Sequence, residues 1–533
     1  LRTYDHTGRI LTLDSTAGAS LRYTRNGYGE LGGVHCHRRQ RRRGSWESAH
    51  RHDTLGFEVE RILPGGIVRS FAYDDIGRLV DARTRKDSRT RHMRRYRWGV
   101  ADRLLSVEDS RRGETRYSYT PAGQLERAEY PDGRERWRKS DQTGNLYPDP
   151  DMKLRRYLGG GRLEQDGEWH CEYDADGNLT ERYLGTGRWL DGKKDRWRYR
   201  WNADGSLAKV IRPDKREVEF TYDALGRRLS KSFGTTVTRW IWNGNVPLHQ
   251  WKRHREYSVV EDRWNTDTER RDMTVWLFDE DSFVPVAMIK EGRSYSILTD
   301  QLGTPTEAYD TEGNEVWSRV LDMDGNVIEE TGNKGMVPFL FQGQYYDRET
   351  GLAYNRFRYY SPKMGVYVSQ DPIGLGGDNP TLYGYVTDTN IWVDIFGLIP
   401  APSDLPNTPG IYIITNKEAN LSYVGSSGIG KQGMNQRISD KQHKNAQKLL
   451  EMEGTTVEFI EVDLGSATSQ SDRNNILRKY EQREYDKQVN RGFIMLNDPN
   501  LRIQSIKKIA KTDKLVKKHN VKASEKRTSC GAK

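Results

Sequence analysis

The feature that most constrains this chain is a unit repeated through its first four hundred residues. "YDHTGRIL" at 4 returns as "YDDIGRLV" at 73, "YTPAGQLE" at 119, "YDADGNLT" at 173, "WNADGSLA" at 201 and "YDALGRRL" at 222. Each copy sets an aromatic before a polar turn that ends in Gly, then returns to Leu or Ile. His52 to Tyr73, Trp98 to Tyr119, Tyr119 to Ser140 and Trp201 to Tyr222 are all 21 residues apart. A fixed period of this size marks units that cannot bury an apolar face alone and must stack on their neighbours. Asp and Asn suit the turn, Gly supplies positive φ, and flanks such as "REVEFTY" alternate at period two, so each unit predicts a β-hairpin. Hairpins in series predict a long, curved antiparallel sheet.

Composition fits that prediction. Of 533 residues, 34% are hydrophobic, 51 are Gly and 30% are charged, as expected of a turn-rich β protein with much solvated surface. Fourteen Trp and 29 Tyr exclude a disordered chain. Cys36, Cys171 and Cys530 are too few and too scattered for a disulfide framework. His35 and His37 flank Cys36, and His170 precedes Cys171, but neighbours on an extended segment point to opposite faces, which favours structural roles over a zinc site. The chain has no signal peptide at its start and no run of 18 apolar residues. It opens at Leu1 inside a repeat, without an initiator Met, and is expected to be truncated at its N-terminus.

These units resemble the tyrosine-aspartate (YD) repeats of Rhs proteins and related insecticidal toxin-complex subunits. The likeness spans about residues 1–398 and extends into "TDQLGTPTEAYDTEGNEVW" and "FQGQYYDRETGLAYNRFRYYSPKMGVYVSQDPIGL". It implies a mainly β shell of YD-repeat hairpins, the Rhs core, wound around a C-terminal passenger. A β-propeller or an extracellular adhesin with similar turns is the alternative architecture.

The repeat region closes on "DPIGL" at 371–375 and "DIFGL" at 394–398. The pair resembles the self-cleavage signature of the Rhs family, which assigns Asp371 and Asp394 as the reacting residues and Leu398 to Ile399 as the scissile bond. Two close carboxylates do not both ionise easily, so one can serve as acid while the other activates water. Ile395 stands where the family usually has Pro. An isolated motif of this kind would be read as a turn; two at this spacing favour cleavage.

Beyond 398 the repeat ends, "IPAPSDLPNTP" reads as a linker, and 135 residues remain. The expected domains are thus a shell at 1–370, a self-cleavage segment at 371–398, a linker at 399–409 and a small α/β domain at 410–533. In that last domain strands are expected at 410–416 and 421–426 and over "TTVEFIEVDL", with helices at 433–451 and 470–490. Gly410-Ile411-Tyr412, followed ten residues later by Tyr423-Val424-Gly425, resembles the two-part signature of GIY-YIG nucleases. The resemblance implies that Arg437 clamps the phosphate and that Glu481 binds a divalent ion such as Mg²⁺, with Glu484 the alternative ligand. Asn497 closes the pattern, and Tyr412 and Tyr423 act together, one as general base. Some members carry His or Tyr four residues after the arginine; here Lys441 stands there, and His443 is a candidate for proton transfer. The segment "SSGIGKQGMNQ" is long for the family.

Charge agrees with a polyanionic substrate. Residues 399–533 carry 23 Lys and Arg against 15 Asp and Glu, and 499–533 carry 11 against 2. A basic helix in "SIKKIAKTDKLVKKHNVKASEKR", bearing Lys507, Lys508, Lys511 and Lys514, is expected to track phosphates; a disordered tail is the competing reading. Together the resemblances imply an interbacterial effector, often delivered by a type VI secretion system with its chaperone, that acts on nucleic acid, DNA favoured, in the target-cell cytoplasm and is restrained in the producer by an immunity protein. The rivals are an RNase toxin and a cell-surface repeat protein with a polyanion-binding tail.

Overall fold

The computed structural model describes residues 1–6, 9–38, 44–185, 194–280, 282–374 and 379–398, and beyond them the strands Ala401–Pro402, Gly410–Asn416, Leu421–Ser427, Thr455–Asp463, Ile494–Met495 and Lys522–Gly531. The chain divides into two compact units, one of Leu1–Gln370 with Tyr383–Gly397, the other of Asp371–Leu382 with Leu398–Lys533.

The first unit is built of hairpins in sequence order. A 13-stranded antiparallel sheet runs from Arg2–Tyr4 to Glu135–Trp137, and a 17-stranded sheet from Arg155–Leu158 to Val327–Gly332. The turn chemistry expected from the repeat is present at atomic detail. At Asp74 the carboxylate accepts the backbone N–H groups of Ile76 and Arg78 at 3.2 and 2.9 Å, while the Gly77 N–H closes the turn on the Asp74 carbonyl at 2.9 Å. Gly77 has φ +87°, and a Cβ there would lie 2.7 Å from the Phe57 ring, so both backbone and space require glycine.

The repeated aromatic pins each hairpin to the one before. Tyr73, Tyr119 and Tyr222 donate their phenol protons to the carbonyls of Glu58, Leu104 and Leu207 at 2.9, 2.9 and 2.7 Å. In each case the partner is 15 residues earlier, so one side chain fixes the register of successive units. The arginine after the turn reaches the next turn in the same manner, from Arg9 to the Gly29 carbonyl at 2.5 Å and from Arg78 to the Gly99 carbonyl at 3.1 Å.

The two sheets share one core, in which Leu13, Leu21, Trp46 and Ile67 pack with Leu248, Val275, Ile289 and Leu298. Charge is divided between them. Residues 1–137 hold 28 Lys and Arg against 19 Asp and Glu, whereas 138–398 hold 35 against 42. Ion pairs between them place the cation on the first sheet: Arg61 with Asp279 at 3.3 Å, Arg94 with Glu307 at 3.4 Å, Arg111 with Glu315 at 2.6 Å and Arg112 with Glu329 at 3.2 Å. Cys36 and Cys171 are buried, and burial pushes both thiols up to about 12, while His35 faces solvent on the side opposite Cys36.

In the second unit, five strands form a sheet in the spatial order Ile494–Met495, Leu421–Ser427, Gly410–Asn416, Thr455–Asp463, Lys522–Gly531. The three strands expected here are present. The basic helix expected over 505–527 is corrected at its end, where Lys522–Gly531 pairs antiparallel with Thr455–Asp463 and continues the sheet. Pairing with an open strand edge overrides a lysine-rich composition that carries no strand signal of its own. The expected helices at 433–451 and 470–490 lie outside the described residues.

Candidate functional site

The 17-stranded sheet is followed by a small sheet of Tyr345–Asp347, Leu352–Asn355, Arg358–Ser361 and Val366–Tyr367. Its seat is a buried cation. Arg228 is 1% exposed, is enclosed by the rings of Phe220, Trp240, Tyr345 and Tyr354 at 4.6 to 5.5 Å, and pairs with Asp347, which also receives Lys231 at 3.0 Å. Removing one partner of such a buried pair costs about 3–5 kcal/mol, so the small sheet is fixed on the large one.

This platform presents three polar side chains to Asp394. Asn355 and Arg358 are register partners across a two-residue turn, and Tyr367 follows on the next strand. Asp394 is fully buried, and its Oδ2 accepts the Tyr367 hydroxyl at 2.9 Å and an Arg358 N–H at 3.1 Å. Asn355 donates to the Asp394 carbonyl at 2.7 Å, and Arg358 Nε donates to the Gly397 carbonyl at 2.5 Å, one residue before Leu398. Gly397 has φ +69°, and a Cβ there would meet the Asn355 carbonyl at 2.7 Å, which explains glycine at the fourth position of the second pentapeptide. Burial, with the Asp394 carboxylate beside it, holds the Tyr367 phenol well above its ordinary range, so it serves as a hydrogen-bond donor.

Ile395 packs with Leu302, Leu340, Phe341 and Val393, so apolar burial anchors the segment that carries Asp394. Asp371 belongs to the second unit. It is 7% exposed, its Oδ1 accepts the Ile373 N–H at 3.0 Å, and its own N–H donates to the Leu382 carbonyl at 2.9 Å. Leu398 is half-buried. Asn355, Arg358 and Tyr367 are the residues that sequence reasoning missed; the available signal for the first two was the trio Asn355, Arg356 and Arg358 inside "GLAYNRFRYY", a stretch otherwise aromatic or apolar.

In the second unit the hairpin register places the tyrosine positions. Tyr412 pairs with Gly425 and Ile414 with Tyr423, so positions 412 and 423 are diagonal neighbours on one face of the pair. Position 413, whose isoleucine is fully buried, lies on the opposite face. Diagonal positions stand about 7–8 Å apart. Arg437, His443, Glu481, Glu484, Asn497, Lys507, Lys508, Lys511 and Lys514 lie outside the described residues.

Comparison with known proteins agrees with this architecture. The teneurin YD-shell family model matches residues 64–375. A double-stranded DNA deaminase toxin A of Burkholderia cenocepacia is 31% identical over 70% of this chain and 28% of its own length. A probable deoxyribonuclease RhsA of Dickeya dadantii is 28% identical over 66% of this chain and 24% of its own. The chain therefore spans about a quarter of the length of these relatives. The crystal structure of TcdB2-TccC3-Cdc42 superposes with a TM-score of 0.51 at 17% identity, covering 75% of this chain and 21% of that one, a likeness of fold. Among the described residues no helix is long and apolar enough to cross a membrane.

Proposed function

The chain belongs to the teneurin YD-shell family, and on that footing we propose that it is the shell and passenger of an Rhs-type toxin, in which residues 399–533 hydrolyse nucleic-acid phosphodiester bonds, DNA in preference to RNA. The observation that carries this reading is the register that sets Tyr412 and Tyr423 on one face of the passenger sheet. Phosphodiester hydrolysis needs an activated water and a neutralised leaving oxygen, and two phenols around one phosphate suit the first need. Arg437 supplies a planar fork for the phosphate, Asn497 completes the set, and His443 is a proton-transfer candidate. The donor set is all oxygen, which fits Mg²⁺, and Glu481 would hold it, with Glu484 as alternative. When bound, such an ion polarises the phosphate and stabilises the leaving oxygen. Lys507, Lys508, Lys511 and Lys514 add a salt-dependent hold on the backbone. The names of the relatives, a DNA deaminase toxin and a deoxyribonuclease, support DNA as the first substrate to try.

The passenger is released by hydrolysis of the Leu398–Ile399 bond. Asp394, ion-paired with Arg358, is the carboxylate that takes a proton from water as the water oxygen adds to the Leu398 carbonyl carbon. Asp371 gives its proton to the Ile399 nitrogen as the C–N bond breaks, leaving a carboxyl at Leu398 and an amine at Ile399. Delivery by a secretion apparatus with its chaperone, action in the target-cell cytoplasm and a neutralising immunity protein complete the reading. Intact-mass analysis of the purified chain is expected to give two polypeptides ending at Leu398 and starting at Ile399, and one uncut polypeptide for Asp394→Asn. A single uncut mass for the wild-type chain rejects the cleavage step.

A further inference from the structure

We propose, within the reading that the Leu398–Ile399 bond is cut, that Tyr367 held by Asn355 is a positioning residue that fixes Asp394 Oδ2 for the reaction and sets the pH range in which Asp394 acts. The hydrogen-bond directions follow from atom types. Asn355 Nδ2 lies 2.7 Å from the Asp394 backbone carbonyl, which can only accept, so the amide is oriented with its NH₂ group inward. The same nitrogen lies 2.6 Å from the Tyr367 hydroxyl, so its second proton goes to the phenol oxygen. The single proton of the phenol must then point away from Asn355, to Asp394 Oδ2 at 2.9 Å.

Rigidity supports the same role. Tyr367 is fully buried, the Arg358 guanidinium stacks 3.7 Å over its ring, and its backbone N–H donates to the Tyr383 carbonyl at 2.9 Å. Asn355 is fully buried too. Among the described residues, Arg358, Tyr367 and Tyr385 are charged or titratable groups that face Asp394. The phenol is the neutral donor that can be removed without leaving a charge unpaired.

The experiment is a pH profile of cleavage in the full chain, isolated unfolded in urea and refolded by dilution into buffers from acid to alkaline, with tryptophan fluorescence recording folding separately. Tyr367→Phe keeps the ring under Arg358 and removes one donor from the carboxylate. It is expected to fold as the wild type does, to cleave about tenfold more slowly, and to have its rising limb about one pH unit higher, because a carboxylate with fewer donors holds its proton to higher pH. A limb that stays at the wild-type pH overturns the role of Tyr367, whatever the rate. Should Tyr367→Phe not refold, 3-fluorotyrosine placed at position 367, a stronger donor, must move the limb to lower pH, and an unmoved limb again overturns the proposal. A wild-type chain that folds and is not cut at any pH removes the cleavage reading and this inference together, an outcome distinct from a cut wild type with an unmoved variant.

Discussion

Tyr222 shows how much one atom contributes to a repeat fold. Its hydroxyl donates to the Leu207 carbonyl at 2.7 Å, and it sits 2.8 Å from the Tyr359 hydroxyl, so one phenol joins two hairpins and the small sheet that carries the Asp394 site. Tyr222→Phe is expected to lower stability by about 1–2 kcal/mol, read as a lower urea midpoint with an unchanged slope. Asp388 works in the other direction. Burial drives its carboxyl up to about 6, against the backbone N–H of Asn390 and the more distant Arg138. A carboxyl raised in the folded state is most favourable when protonated, so its contribution is fully present below about pH 4 and is lost as pH rises through 6. Asp388→Asn keeps the acceptor for Asn390 and is expected to be more stable than wild type at pH 7.5 by about 2–3 kcal/mol, and equal to it at pH 4. Thermal unfolding at the two pH values checks this.

At the scale of elements, the hairpins were legible in the sequence because their causes are local. Asp at the start of the turn, Gly at its end and alternation on both sides all lie within about ten residues. Gly77→Ala forces a side chain to φ +87° and against the Phe57 ring; it is expected to cost about 1–3 kcal/mol in denaturant unfolding, whereas replacing Asp75, an exposed residue of the same turn, is expected to change little. What lay beyond the sequence reading depends on distance along the chain. Lys522–Gly531 becomes a strand through Thr455–Asp463, about seventy residues earlier, and its own residues carry no apolar alternation. Arg358 and Asn355 meet Asp394 across gaps of 36 and 39 residues, and no period announces such a contact. The two aspartates were legible as a doubled motif; the three side chains that hold one of them were not. For the passenger, the tripeptides located both tyrosines, and only the register shows their positions to share a face.

The whole molecule joins a basic sheet to a more acidic one and carries a basic C-terminal region. The arginines on the first sheet and the carboxylates on the second give the two sheets a preferred pairing, since like charges in the same places would repel. That arrangement accounts for a shell close to neutral overall beside a passenger with 23 basic and 15 acidic residues. A passenger of that charge, with paired tyrosine positions on one sheet face, is suited to a polyanion, and catalysis distinguishes it from a binding module. The most direct measurement is incubation of the purified chain, cut or uncut, with supercoiled plasmid DNA and Mg²⁺, beside Tyr412→Phe, Glu481→Ala and an EDTA control. The account predicts nicked and linear DNA with the wild type alone, and a loss of about a hundredfold or more in each variant. Plasmid left supercoiled by the wild type, or cut equally by Glu481→Ala and in EDTA, would contradict it.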